Sequence, residues 1–507
     1  MKVLRWLFLA VFVLLFWYVR TWFHGLLLFF YTTPVIWQVI LVTLLVHYLI
    51  LSRIPAINRS RLYKSDDTQF HFSHTMWITP LLFLFLLIPG LLGAQWARGV
   101  DLARTVEYQA ISALPESTED LRLMPFEVAR RYAKDSLQLS QYKLGTENIA
   151  LIDGKLQWTF PLTPDGLVIT FLRQNKGMVM VDATTQEKNA DHVWQDMAIG
   201  EGMQIRDNLY WNLLRHRFFV SLDDPYYLPA SETEDIYTVV GATGYRFRFR
   251  WGLIYTIPTF AGVFLTDSAG EVELLTPQAA QDHPILQNNR IYPETLARTV
   301  VDAHQYRLGV INRLFIHEDQ IQIQDVRGPA SEVNRQPYLM DTAVGLKWFI
   351  SAEPYGASHG IFKIFLVDAV TGEIGVYHLP SDETLTGPVR VVDYVRRSNP
   401  VVDWSRFNSV EPLPFIRNDT LFWKLTVIPN DAAGIAYQVF VDAATNHVLE
   451  LGSQEEVMAF LHGELDASEA AAAVDTPTAI VKSIQEKLRE IDELLQQLPE
   501  QNVPMVP

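Results

Sequence analysis

An α+β protein with a helical transmembrane N-terminal region is what the sequence predicts, and three observations predict it. Three long apolar runs crowd the first 98 residues. Beyond them, a short apolar strand pattern ending in an Asp-centred turn recurs four times. Helix-like stretches that open on proline stand ahead of some of these elements.

The first apolar run begins at Val3 and reaches at least Val19, the second runs from Val35 to about Ser52, and the third from Trp77 to about Gln95. Each approaches the ~20 residues needed to cross a bilayer core, and none holds an acidic residue. Arg20 to Tyr31 admits two readings. It extends the first helix, or Trp22, Phe23, Phe29, Phe30 and Tyr31 lie at the headgroups. Pro34 separates it from the second run. A cleaved signal peptide is the competing reading of residues 2–19, but no small-residue cleavage site follows and two further apolar runs do.

Charge divides the chain in the same place. Residues 1–98 carry eight Lys/Arg against two Asp/Glu, whereas the rest carries 33 against 55. Lys2 and Arg5 precede the first run, and Arg53, Arg59, Arg61 and Lys64 lie between the second and third. The positive-inside rule therefore puts the N-terminus and the 53–76 loop in the cytoplasm, and residues after about 98 outside it, anchored to the cell membrane. The acidic remainder argues against nucleic-acid binding, which needs a basic surface. With no cysteine in 507 residues, disulfides, thiolate catalysis and Cys-ligated metal centres are excluded.

Residues 99–124 read as a linker, turn-rich at Leu114–Asp120. The recurring turns follow at Val181-Asp182-Ala183-Thr184-Thr185, Thr266-Asp267-Ser268-Ala269-Gly270, Val367 to Glu373 and Val441 to Asn446. The Asp side chain accepts backbone N–H groups in such a turn, and Gly or Asn takes the positive φ. Asp182, Asp267, Asp368 and Asp442 thus have a structural role before any catalytic one. An aromatic strand with a tryptophan precedes each turn, around Trp158, Arg246–Trp251, Trp348 and Trp423. Pro125–Leu139 and Pro293–Val310 read as helices with proline in the first turn, with weaker candidates at Arg206–His216 and Pro388–Arg397. The inferred unit is a helix followed by a three- or four-stranded antiparallel sheet. The units fall at 125–200, 201–288, 289–385 and 386–463, with a linker and C-terminal helix over 464–507.

This helix-then-sheet unit, with its aromatic strand and the V-D-A-x-T-G-E turn at Val367–Glu373, resembles the PepSY family over residues 125–460. The third unit matches best; the first and fourth lose the Gly-Glu, and the second departs further. The resemblance implies a binding or regulatory module, since the family occurs in protease propeptides and membrane-anchored envelope proteins. It carries over no catalytic group.

Direct searches for chemistry return little. HExxH, GxSxG, GxxxxGK[ST] and GxGxxG are all missing. Ser358 and His359 are adjacent, so on a strand they would point to opposite faces. His71 and His74 lie near Asp66 and Asp67 in the 53–76 loop, which reads as a solvated loop rather than a metal site. His24 and His47 fall at depths too different to ligate one haem if the first span starts at Val3. No cofactor or metal is expected. Arg246, Arg248 and Arg250 alternate with Phe247, Phe249 and Trp251, placing guanidinium groups on one strand face and aromatics on the other. Those arginines answer neighbouring carboxylates, or they bind an acidic partner. In the tail, Ile484, Leu488, Ile491 and Leu495 form a narrow stripe on a helix from Thr478. The stripe docks on its own domain or, as the hinge-like Ala467–Pro477 segment favours, on a second copy or another protein.

The function expected is a non-enzymatic extracytoplasmic binding or scaffold protein of the cell envelope. The alternatives are an inhibitor or regulator of an envelope protease and a subunit of a membrane transport or redox complex. The last is disfavoured because the apolar runs contain no acidic residue to mark an ion path.

Overall fold

A computed structural model describes residues 2–49, 75–230, 235–327, 333–356, 360–380 and 383–465. The 53–76 loop up to residue 74, Ser358, His359 and the whole C-terminal stripe lie outside the described residues.

The first helix does not stop at Val19. Helix Lys2–Val19 tightens into one 3-10 turn at Arg20–Phe23 and resumes as His24–Thr32. Helix Val35–Leu49 follows, and a long helix spans Thr75–Thr105 through Pro80 and Pro89. Two segments, Ala10–Thr32 and Ile78–Thr105, are long and apolar enough to cross a membrane; Val35–Leu49 is apolar but shorter. The last two helices touch closely because Gly90 leaves room for Val35 and Val39, whose methyls would lie 3.2–3.4 Å from a Cβ there. Small residues at such contacts let helix backbones approach.

The remainder is mixed α+β, with four main sheets that are almost wholly antiparallel. Helix Phe126–Ser136 precedes the first sheet, built mainly on Asn148–Ile152, Lys155–Pro164 and Met178–Asp182. Its Val128, Ala129, Tyr132 and Ala133 recur at helical spacing and are buried. Helix Leu209–His216, capped by the Asn208 side chain, precedes the second sheet, whose long hairpin joins Asp235–Arg250 to Leu253–Thr266. Helix Glu294–Asp302 precedes the third sheet, centred on Lys347–Pro354, Lys363–Asp368 and Ile374–His378. This helix is shorter than Pro293–Val310: it tightens to 3-10 at Ala303–Tyr306, and the chain turns at Gly309, where φ is +90°. Helix Pro388–Ser398 precedes the fourth sheet, over Phe407–Arg417, Thr420–Pro429, Tyr437–Asp442 and Val448–Leu451.

Period-two alternation lets the third sheet serve two cores. Trp348, Ile350, Phe365 and Val367 face a core shared with the first sheet, its helix and Val100, Leu102 and Ala103 of the long helix. Phe349, Ile364 and Leu366 face the other way, into a core shared with Trp423, Leu425 and Val439 of the fourth sheet. Residues 99–124 are built into the body. The long helix runs on to Thr105, and Tyr108–Ile111 adds a parallel edge strand to Ile374–His378. Ser117 and Thr118 then donate their N–H groups to Ile416 and Asp341.

One joint recurs. The carbonyl of Ala183 accepts the N–H groups of Leu123 and Met124, that of Ala369 accepts Ile291 and Tyr292, and that of Ala443 accepts Thr386. In each case the sheet tryptophan donates its indole N–H back to the same entry segment. Trp158 bonds the Met124 carbonyl at 3.0 Å, Trp348 that of Tyr292 at 3.1 Å and Trp423 that of Thr386 at 2.7 Å. The second sheet keeps half of this, since Ala198 donates to the Ser268 carbonyl. Its Trp251 does not take the tryptophan's place. That residue sits in the hairpin turn, and buried Thr238 occupies the position opposite Thr266. The alternating Arg246–Trp251 pattern marks a strand correctly but ends it at the tip rather than in the core.

Candidate functional site

The four aspartates sit where their strands end. Oδ1 of Asp182 accepts the N–H and hydroxyl of Thr184, both at 2.7 Å. That of Asp267 accepts Glu271 N–H at 2.7 Å. Asp368 accepts Val370 and Thr371 N–H at 2.9 and 2.8 Å, and Asp442 accepts Ala444 and Thr445 at 2.8 and 3.0 Å. Among the described residues Asp368 alone of the four adds an ion pair, with Lys347 on the neighbouring strand. Burial pushes its carboxyl up, but Lys347 and the two backbone donors outweigh that and hold it below the usual range. Asp368→Asn should therefore cost about 1.5–3 kcal/mol, as a charge-assisted bond is worth, against about 1 kcal/mol for Asp442→Asn. Urea unfolding of the two variants compares them; equal costs would remove Lys347 from the explanation.

The arginine strand lies against the apolar helices. The Gly252 carbonyl accepts Gln38 Nε2 at 2.5 Å, Ile254 N–H donates to Gln38 Oε1 at 2.9 Å, and Thr256 donates to the Thr32 carbonyl at 2.7 Å. Leu253 occupies the space left by Gly93, where a Cβ would come within 2.7 Å of its methyl. Arg248 and Arg250 both reach Asp101 on the long helix at 3.8 Å, which answers two of the three guanidinium groups with one carboxylate. Arg246 is exposed with no ion pair among the described residues. On the other strand face Phe247 and Phe249 are exposed, as is Trp251 in the turn, with Phe247 edge-on to Tyr31.

A polar slot of about 130 Å³ opens where the first three sheets meet. Arg290 is almost wholly buried there, its guanidinium 4.9 Å from the Tyr226 ring and 5.6 Å from that of Trp348. Glu147, Asp223, Asp224 and Glu294 line the same slot. Asp223 accepts the Thr295 hydroxyl at 2.5 Å. Burial pushes the Glu294 carboxyl up to about 7, against the pull of Arg290. One guanidinium over the rings of Tyr226 and Trp348, in the field of Glu294, Asp223 and Asp224, is a keystone: it ties the second sheet to the third.

Two other buried cations had no place in the sequence reading. Lys363 pairs with Asp319 beneath the third sheet. Lys424, fully buried in the fourth, bonds the Thr426 hydroxyl at 2.7 Å and the Leu123 carbonyl at 3.2 Å. The one signal for Lys424 is a lysine inside a strand, Leu421 to Ile428, that is apolar apart from it and Thr426. His304 packs edge-on to Tyr108 and Phe365; burial and Lys363 lower it to about 4, so it is a neutral core residue.

Histidines 24 and 47 are engaged separately, His24 with the Val220 carbonyl at 3.1 Å and His47 with the Thr79 hydroxyl at 2.8 Å. Among the described residues no group of three or more His, Asp or Glu side chains is placed to hold a metal. The candidate tail contacts Ile484, Leu488, Ile491 and Leu495 lie outside the described residues.

Fold and surroundings together define a class: a mixed α+β body built directly onto apolar N-terminal helices. Comparison with protein-family models, curated proteins and solved structures finds no match.

Proposed function

We propose that this chain is a non-enzymatic, membrane-anchored binding or scaffold protein of the cell envelope, built on PepSY-like units, with everything after about residue 98 extracytoplasmic. The observation that carries the reading is the second-sheet hairpin. It bonds Gln38 and Thr32 and packs on Gly93, so the body is held against the apolar helices rather than tethered to them. A body fixed at one height and orientation suits presentation of a surface to an envelope partner. The Lys/Arg bias supports the direction of insertion.

Single cysteines test the direction, since the natural chain has none. Cysteine at Ser65, in the basic loop, should resist an impermeant thiol reagent in intact cells. Cysteine at Val401, an exposed position on the body, should react. The reverse pattern overturns the topology and the envelope assignment with it. Purification in mild detergent tests the binding role: a stoichiometric protein partner supports it. A co-purifying protease that the body inhibits would make the protein a regulator of that enzyme, and a monomer alone at every step would remove the scaffold reading.

A further inference from the structure

The body carries large apolar side chains that its own cores do not cover, and two groups of them are linked to the apolar helices. Gly166–Leu172 presents Leu167, Val168, Phe171 and Leu172, with Leu167 89% exposed. Leu308–Ile316 presents Leu308, Ile311, Phe315 and Ile316 at helical spacing, with Phe315 77% exposed. Four aliphatic or aromatic side chains on each of two short segments are more than scattered surface residues.

Both segments are tied to the helices. The Thr170 carbonyl accepts the N–H of Gln204 at 3.2 Å, and Gln204 lines a cavity of about 160 Å³ with Thr21 and Trp22. The second segment follows Ala303–Tyr306 and packs with it on the long helix; the Tyr306 ring sits over Gly99, just past Trp96 and Arg98. At those positions the apolar helix surface gives way to polar residues. Residues 20–32 lie along the second unit, His24 bonding Val220 and Tyr31 stacking on Phe219 at 4.2 Å, while Trp22 and Phe29 stay exposed. The exposed aromatics of the hairpin, Phe249 and Trp251, stand at the same helices.

We propose that Leu167–Leu172 and Leu308–Ile316 insert into the acyl–headgroup boundary of the bilayer that the helices cross, so that the body lies seated on the lipid surface. The proposal rests on the membrane-anchored reading above. Continuity with the apolar helices argues for lipid rather than a protein as the occupant. Each segment also has one basic residue at its border, with Asp165 on the other side of the first and Glu318 just beyond the second. Arg173 directly follows the first segment and Arg307 directly precedes the second, both exposed, at the level of anionic headgroups. Trp22, Trp251 and Phe249 supply the aromatic belt expected at that boundary.

Full-length protein carrying one nitroxide-labelled cysteine is reconstituted in nanodiscs of mixed phosphatidylcholine and phosphatidylglycerol. Labels go at Phe171, Phe315, Val401 and Phe85, the last on the exposed flank of the long helix. Collision with oxygen, which concentrates in lipid, is compared with collision with a water-soluble nickel chelate. The oxygen-to-nickel ratio at Phe171 and Phe315 should exceed that at Val401 several-fold and approach that at Phe85. If either label meets nickel as freely as Val401 does while Phe85 reads as lipid, the insertion is wrong and the anchoring stands. Shielding from both reagents means that a protein covers the segment, which also overturns it. A Phe85 label that reads as water removes the anchoring itself.

Discussion

Trp423→Ala is expected to destabilise the protein by about 3–5 kcal/mol, the largest loss of any single substitution considered, and Trp348→Ala by a similar amount. Both side chains are essentially inaccessible, and Trp423 packs edge-on to Tyr338 and Phe349. Truncation leaves a cavity and strips the Thr386 carbonyl of its indole donor, at a cost of about 1–3 kcal/mol for an unsatisfied buried acceptor. The loss falls on the joint between helix entry and sheet, so the fourth unit should unfold from both sides at once. Trp251→Ala, at the exposed hairpin tip, should change stability by about 0.5 kcal/mol or less. Chemical denaturation in detergent, followed by near-UV circular dichroism, measures all three. A Trp251 variant as unstable as the Trp423 variant would show that aromatic mass, and not the joint, sets the cost.

Stability should pass through a minimum near neutral pH, from three buried groups acting in opposite windows. Lys424 is lowered to about 7 by burial, against the pull of Glu411. Between pH 7 and its unfolded value near 10.5 the unfolded chain binds the extra proton, so stability rises with pH. Glu294 and Glu353 are both raised to about 7 by burial. Between about 4.5 and 7 the folded state binds more protons, so their contribution is full in acid and lost as pH rises. Each displacement is worth several kcal/mol at about 1.36 kcal/mol per pKa unit, as an order of magnitude. Lys424→Met should flatten the rising limb and raise stability at pH 7, despite losing its bonds to Thr426 and the Leu123 carbonyl. Glu353→Gln should reduce the falling limb. Midpoints from urea titrations between pH 5 and 9 decide it; a Lys424→Met curve parallel to the wild type would place the lysine in water.

What the sequence makes legible is what local chemistry determines. An Asp at a strand end accepts the N–H groups two to four residues on, so Asp182, Asp267, Asp368 and Asp442 are readable from their own neighbours. Apolar length announces the N-terminal helices. Helix ends are less legible, since Val19 carries no stop signal and Gly309 lies beyond the point at which the Glu294 helix has already tightened. Trp251 misleads because alternation shows which face a residue takes but not where the strand turns. Arg290 is illegible, and the partners of Lys424 are too, for another reason. Their burial comes from groups far along the chain: Tyr226 and Trp348 for the first, the Leu123 carbonyl for the second.

The edge strand at Tyr108–Ile111 bears on how the molecule is made. It leaves the ribosome directly after the long helix, yet its partner, Ile374–His378, emerges about half a chain later, after two whole sheets. Throughout that interval the nascent chain carries an unpaired strand directly after its long apolar helix, an edge open to wrong partners. Pairing with the third sheet is then a late, high-contact-order step that closes the segment after the long helix onto the body. Any chain that ends before His378 keeps that edge open however well its first two sheets have folded. Premature termination anywhere in this long stretch yields a product with one common lesion beside the long helix, which a single surveillance protease could read.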